Sequence, residues 1–180
     1  AGRGVREPVD APRLRAFMEA LGRAAREPGS VYLTGGACAV LEGWRFSSVD
    51  VDLKLVPDHG EVFAAIPRLK EELRVNVELA APSDFIPELP GWRERSPFIA
   101  QHGPLAFHHY DFYAQALAKL ERAHDLDLAD VAAMKSRRLV EPGRLLQFFE
   151  AIQPGLIRYP AIDPRAFRRR VEEATRPGYS

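Results

Sequence analysis

The sequence predicts an α/β fold, in which strands and helices alternate in the first half and helices fill the second half. In the first half, short apolar or alternating runs of strand length are separated by amphipathic runs of helical length. The second half carries mainly helical periodicity, which is typical of helices packed beside or after an α/β core. We therefore expect a core over residues 1–135 and a C-terminal helical extension over residues 136–180.

Helices are predicted where apolar residues recur at helical spacing, as Leu14, Phe17 and Met18 do in the first helix. Gly43 is expected to close the second helix, and Asp111 to cap the helix that runs to about Ala123. The predicted helices, in chain order, cover residues 13–26, 37–42, 61–72, 112–123, 127–134, 144–150 and 164–174.

Strands are predicted at residues 31–33, 49–56, 74–79 and 105–109, because these runs are short and either apolar or alternating. The proline-rich stretch over residues 81–101 is expected to be an extended connection with a hairpin-like excursion. Residues 1–12 are rich in Gly, Arg and Pro, and they are expected to form a loose N-terminal arm.

Composition excludes several classes of protein. The formal net charge is zero, so the charge of the whole chain does not predict binding to nucleic acid or membranes. The single cysteine, Cys38, excludes an intrachain disulfide and a multi-cysteine zinc site, and it fits a reducing cytoplasm. No charged and apolar leader opens the sequence, and no apolar run is long enough to span a bilayer. We expect a cytoplasmic protein without membrane contact.

The most informative motif is a pair of aspartates on one predicted strand. Val51 and Leu53 face one side of this strand with Val49, while Asp50 and Asp52 face the other. Carboxylates at i and i+2 lie about 6–7 Å apart, and like charges that close are disfavoured unless a cation lies between them. Aspartate is also rare in strands, which favours a Mg²⁺ site over the alternative, two solvated carboxylates on an edge strand.

A glycine pair, Gly35-Gly36, follows the preceding strand and opens a helix. Such a turn can direct backbone N–H groups at phosphate oxygens. The alternative is an ordinary tight turn, since glycine pairs are common in turns. The spacing matches neither the P-loop nor the dinucleotide fingerprint.

Further candidates come from the next strand and from the later helices. Glu78 shares the polar face of its strand with Asn76, and it is either a third metal ligand or a surface glutamate, with Asp84 as the weaker choice. Lys119 lies in an apolar helix before the run HDLDLAD, and it either reaches a triphosphate or extends its ammonium to solvent.

The run TGGACAVLEGWRFSSVDVDLKL resembles the signature of the nucleotidyltransferase superfamily with the polymerase-beta-like fold. The order is a Gly-Gly turn, an Asp-x-Asp strand and a carboxylate on the next strand. The runs SDFIPELPGWRERSPFI and DFYAQALAKLERAHDLDLADVAAM resemble small bacterial nucleotidyltransferase-like proteins related to abortive-infection toxins of the AbiEii type. The resemblance covers roughly residues 31–135 and leaves the C-terminal region uncovered.

The resemblance implies a mixed sheet flanked by helices and a Mg²⁺-dependent transfer of a nucleoside monophosphate from a nucleoside triphosphate to a hydroxyl. The metal ligands would be Asp50, Asp52 and Glu78. The nucleotide would be held by Gly35, Gly36, a serine before the double aspartate (Ser47), Lys119 and Asp127. The family's commoner third carboxylate is aspartate, whereas this chain has Glu78.

Two other functions remain open at this point. The chain could be a non-catalytic nucleotide- or partner-binding member of a toxin–antitoxin or regulatory pair, or a kinase-like transferase. For the acceptor we expect an RNA end, with tRNA preferred to a small molecule, because six arginines lie between Arg158 and Arg176. A cognate toxin or antitoxin is the expected protein partner.

Overall fold

A computed structural model of the chain describes residues 7–178. These residues divide into two compact units. The first unit holds the described residues up to Ala81 together with Ser96–His109, and the second holds Pro82–Arg95 and the described residues from Tyr110 onward. This division lies earlier in the chain than the boundary expected at residue 135. Within residues 7–178, no helix is both long and apolar enough to cross a bilayer.

The first unit alternates strands and helices, which confirms the α/β class. In chain order its elements are β1 (Val9–Asp10), α1 (Ala11–Ala24), β2 (Gly29–Thr34), α2 (Gly36–Glu42), β3 (Ser47–Ser48), β4 (Asp50–Val56), α3 (Glu61–Leu73), β5 (Asn76–Leu79), β6 (Phe98–His102) and β7 (Leu105–His109).

Five strands form one mixed sheet in the order β5-β4-β2-β7-β6. The β4–β5 and β2–β7 pairs are parallel, whereas β2–β4 and β6–β7 are antiparallel. Strand β4 therefore lies inside the sheet, so the alternative of an edge strand for Asp50 and Asp52 is wrong. Val51 and Leu53 are fully buried, as the alternation predicts. Val49 was expected on the same buried face, and this expectation is wrong. It is 70% exposed, because it precedes β4.

The expected N-terminal arm is ordered from residue 9 onward. Strand β1 pairs antiparallel with β3, and Val9 is buried. Asp10 caps α1, because its side chain accepts a hydrogen bond from the Arg13 N–H over 3.0 Å. The arm therefore does not extend to residue 12, and residues 1–6 lie outside the described part of the chain.

The proline-rich segment contains a strand that the sequence pattern did not predict. Residues of β6 pair antiparallel with β7, with a register irregularity between Phe98 and Ala100. The expected hairpin-like excursion is therefore a β-hairpin of the main sheet, turning at Gly103, where φ is +54°.

The second unit is helical, as predicted for the second half of the chain. Its helices are α4 (Phe112–Arg122), α5 (Asp125–Ser136), α6 (Pro142–Ile152) and α7 (Pro164–Thr175), with short 3-10 segments at Pro82–Asp84 and Gln153–Arg158. Asp111 caps α4 as expected, accepting from the Tyr113 N–H, and it also binds Arg95 over 2.7 Å. Phe149 of α6 packs against Phe167 of α7 in the core of this unit.

Candidate functional site

The two aspartates of β4 lie on the polar face of the sheet, beside polar residues of β5. In the parallel β4–β5 register, Asp50 is opposite Asn76 and Asp52 is opposite Glu78. Asp50 and Asp52 are half-buried, whereas Glu78 is exposed. The register therefore brings all three predicted carboxylates to one face of two neighbouring strands.

Asp50 is held by a partner that the sequence reasoning did not assign to the site. The Asn76 side-chain amide donates a hydrogen bond to Asp50 Oδ1. An amide that donates to a carboxylate orients it without neutralising its charge. Asn76 is thus a positioning residue for Asp50, and its place on the polar face of β5 was the only signal that could have found it.

The glycine turn lies directly next to Asp52. Thr34, the last residue of β2, is opposite Asp52 in the antiparallel register, and Gly35 follows it. Gly35 has a φ of +62°, a backbone conformation that side chains rarely adopt. A Cβ at this position would lie 3.2 Å from Asp52 Oδ2, so the carboxylate packs against the bare backbone of the turn.

The second glycine is contacted by the segment before β4. A Cβ on Gly36 would lie 2.0 Å from Ser48 Oγ and 3.4 Å from a terminal nitrogen of Arg45. Ser48 Oγ donates a hydrogen bond to the Asp50 carbonyl over 2.8 Å. A guanidinium and a hydroxyl therefore converge on the turn that Asp52 also approaches.

Ser47, the predicted nucleotide ligand, and the adjacent Ser48 make different contacts. Ser47 is paired with Asp10 in the short β1–β3 ladder, whereas Ser48 contacts Gly36. The assignment of Ser47 to the nucleotide comes from the resemblance, in which a serine often precedes the double aspartate. The structure puts Ser48 at the turn.

The fit of this face to a divalent cation depends on Asp50 and Asp52. Among residues 7–178, no three His, Cys, Asp or Glu side chains gather closely enough to hold a metal ion. Mg²⁺ is commonly bound by only one or two carboxylates together with substrate phosphates and water. The Asp50–Asp52 pair fits that kind of site, and a role for Glu78 as a third ligand stays a prediction.

A buried histidine anchors the helix that follows the glycine turn. His109, at the end of β7, is 5% exposed, and its Nε2 lies 3.0 Å from Glu42 Oε1 on α2. Burial lowers the pKa of His109, and the charge and hydrogen bond of Glu42 oppose this shift only in part. The neutral ring therefore donates from Nε2 to Glu42. The sequence pattern gave no sign of this contact between β7 and α2.

Lys119, predicted to reach the nucleotide phosphates, forms a buried network with Asp127 and Asp130 in the second unit. Lys119 Nζ lies 2.7 Å from Asp130 Oδ2 and 3.7 Å from Asp127 Oδ1. Asp127 accepts two hydrogen bonds from Arg122, at 2.8 and 2.6 Å, and one from the His124 N–H. Burial would raise the pKa of Asp127, but Arg122, Lys119 and this N–H together hold it below its ordinary value.

This geometry refines the predicted roles of the network. Lys119 is 8% exposed, so the alternative of an ammonium extended into solvent is wrong. Its closer partner is Asp130, whereas Asp127 mainly binds Arg122. Asp84, the weaker carboxylate candidate, also belongs to the second unit. Binding of phosphate by Lys119, with Asp127 positioning the lysine, stays a prediction.

The C-terminal arginines do not form a single stripe. Successive helical residues point about 100° apart, so Arg168, Arg169 and Arg170 of α7 face different directions. Arg168 pairs with Glu172 over 2.8 Å, and Arg170 donates to the Glu121 carbonyl over 2.5 Å. Only part of the cluster can therefore meet one ligand.

Comparison with known proteins adds no relative: the chain matches no protein family, no curated protein and no solved structure.

Proposed function

We propose that this protein is a nucleotidyltransferase, which transfers a nucleoside monophosphate from a nucleoside triphosphate to an acceptor hydroxyl. One observation carries the proposal: the carboxylate of Asp52 packs against the backbone of Gly35. Asp52 is paired with Thr34, the last residue of β2, and the glycine turn follows Thr34 directly. A phosphate-binding turn and a cation-binding carboxylate must be neighbours if both act on one triphosphate, because a cation held by Asp52 would also have to reach the phosphates at the turn.

The residues around the turn supply complementary charge for phosphate. Gly35 and Gly36 have no side chain to keep a phosphate oxygen away from the backbone N–H groups. The Arg45 guanidinium, whose nitrogen approaches Gly36, offers the donors that suit phosphate best. The Ser48 hydroxyl also lies against Gly36, but it donates its proton to the Asp50 carbonyl and therefore fixes the turn beside β4.

The aspartates serve the cation that accompanies the nucleotide. Asp50, oriented by Asn76, and Asp52, packed on Gly35, would hold Mg²⁺ together with the phosphates. A Mg²⁺ ion held by these aspartates would neutralise phosphate charge and make the α-phosphorus more electrophilic. In the transfer, the acceptor oxygen bonds to the α-phosphorus, the bond from that phosphorus to the bridging oxygen breaks, and pyrophosphate leaves. Glu78, exposed beside Asp52, is the carboxylate that can accept the proton of the acceptor hydroxyl.

The proposal leaves the acceptor to experiment. RNA, with tRNA as the first choice, stays a prediction from the sequence, and so does a role in a toxin–antitoxin pair. Arg168 is paired with Glu172, which weakens the argument from three adjacent arginines.

The test uses nucleoside triphosphates labelled at the α- or the γ-phosphate, incubated with Mg²⁺ and the protein, with and without total cellular RNA. We expect label to transfer from the α-position only, and Asp52→Asn to abolish it. Asp58→Asn, which changes an exposed turn aspartate, is the matched control. Transfer from the γ-position would instead identify a kinase-like enzyme. Mg²⁺-dependent nucleotide binding without any transfer would identify a non-catalytic protein.

A further inference from the structure

The second unit contains a groove that the proposed chemistry does not use. Helices α5 and α7 both pack on α4, and a groove of about 690 Å³ lies between them. Its floor is aliphatic, and its rim carries four cationic side chains and one carboxylate. The residues that matter below are Leu128 and Val131 of the floor and Lys135, Arg169, Arg170 and Arg176 of the rim.

Helix α5 buries two of its three acids and exposes a leucine in the groove. Asp127 and Asp130 are within the unit, where they bind Arg122 and Lys119. Leu128, which lines the groove, is 43% exposed. An exposed leucine on the aliphatic floor of a groove gives another molecule an apolar surface to cover.

The positive charge of the rim is not neutralised within the unit. Lys135 Nζ donates to the Ala174 carbonyl over 2.7 Å, and Arg170 donates to the Glu121 carbonyl. Carbonyl oxygens fix these groups in place but leave their charge uncompensated. No ion pair of residues 7–178 includes Lys135, Arg169, Arg170 or Arg176. An occupant with acidic groups beside an apolar surface would complement both the floor and the rim.

We infer that this groove binds an amphipathic helix of a partner protein, whose apolar stripe covers Leu128 and Val131 and whose acidic residues meet the rim. A helix suits a groove between two helices, because it satisfies its own backbone hydrogen bonds and presents side chains at i, i+3, i+4 and i+7. RNA suits this groove less well, because its aliphatic floor offers no aromatic ring on which bases can stack. A second copy bound symmetrically would bring two cationic rims together. The inference does not depend on the proposed transferase activity.

The test is selection from a displayed library of helical peptides with a fixed apolar stripe and either Glu or Lys at each polar position. We expect the full-length protein to enrich peptides rich in Glu. The best peptide, labelled with fluorescein, should then bind the Leu128→Asp and Arg169→Glu variants at least about tenfold more weakly. Leu126→Asp and Arg165→Glu are matched controls, because these exposed residues of the same two helices do not line the groove. They should leave binding within about twofold.

Several results would overturn the inference. Equal enrichment of Glu and Lys, no enrichment, or equal binding to the groove and control variants would each do so. If Arg169→Glu removes binding of a labelled RNA oligonucleotide while no acidic peptide binds, the surface is a nucleic-acid site. If sedimentation shows self-association that Leu128→Asp removes, and no peptide is enriched, the occupant is a second copy. Circular dichroism of each variant excludes unfolding as the cause of lost binding.

Discussion

Asp52 lies opposite Thr34 in the antiparallel pair of β2 and β4, and its Oδ2 packs against the backbone of Gly35, the next residue after Thr34. The two halves of the proposed phosphate–metal site, a glycine turn and a carboxylate, are therefore joined through the register of one strand pair. A change at either residue should affect the same nucleotide.

Asp52→Asn should remove Mg²⁺-dependent nucleotide binding and reduce transfer by on the order of 10²-fold or more, because a neutral amide cannot balance the cation. The variant should fold normally, and its melting temperature should stay the same or rise slightly, because one of two nearby like charges is gone. Calorimetric titration with a nucleotide, in Mg²⁺ and in EDTA, measures the first effect. An Asp52→Asn protein with wild-type transfer would contradict a catalytic role for the residue.

Gly36→Ala should destabilise the protein, because the added Cβ would overlap Ser48 Oγ at 2.0 Å and Ser48 Cβ at 2.7 Å. Overpacking of this kind costs about 1–3 kcal/mol, which urea unfolding can measure. Gly143→Ala, in the first turn of α6, has open space around its Cβ and should be neutral or slightly stabilising. Adding Ser48→Gly to Gly36→Ala should recover much of the loss. No recovery would show that the strain arises elsewhere in the turn.

Local patterns predicted much of the fold. The alternation of apolar and polar residues identified the buried face of β4. Every second side chain of a strand points to the same face, and the side chains of Val51 and Leu53 point into the core. Gly43 was recognised as the end of α2, where its φ is +90°, because this conformation favours glycine. Strand β6 was missed because its run FIAQH does not alternate and follows Pro97. Its pairing with β7 is decided by tertiary structure.

The candidate site could be predicted only in part, because some of its contacts also depend on tertiary structure. Asp50 and Asp52 stand out because aspartate is rare in strands. The approach of Ser48 to Gly36 depends instead on the β1–β3 ladder, which joins residues almost forty positions apart. The preference of Lys119 for Asp130 over Asp127 depends on how α4 and α5 pack, because both aspartates lie on the buried side of α5.

Lys119→Met should destabilise the protein by about 3–5 kcal/mol, because it leaves the buried Asp130 carboxylate without its closest cation. Replacing both residues, as Lys119→Met with Asp130→Leu, should recover most of this loss, because the double variant no longer contains the unpaired Asp130 carboxylate. Urea unfolding of the two single variants and the double variant completes the cycle. Arg68→Met breaks an exposed i,i+4 pair with Glu72 and should cost less than about 1 kcal/mol. Equal losses for Lys119→Met and Arg68→Met would contradict the buried pair.

The stability of the protein should decrease as the pH falls below the ordinary His109 pKa near 6.5, because burial lowers this pKa in the folded state. Above pH 6.5 the ring is neutral in both states, and its contribution to stability is fully present. Below it, the unfolded chain binds a proton that the folded protein does not yet bind, so the free energy of unfolding falls by up to about 1.4 kcal/mol per pH unit. The fall from this group ends when the pH reaches the lowered pKa.

His109→Gln should flatten this dependence, because an amide can donate to Glu42 but does not titrate. Urea unfolding at several pH values between 7.5 and 5, chosen to bracket the ordinary pKa near 6.5, measures the difference. His59→Gln, which changes an exposed histidine in the turn after β4, should follow the wild-type curve. A His109→Gln protein that loses stability with falling pH as steeply as the wild type would assign the effect to the carboxylates instead.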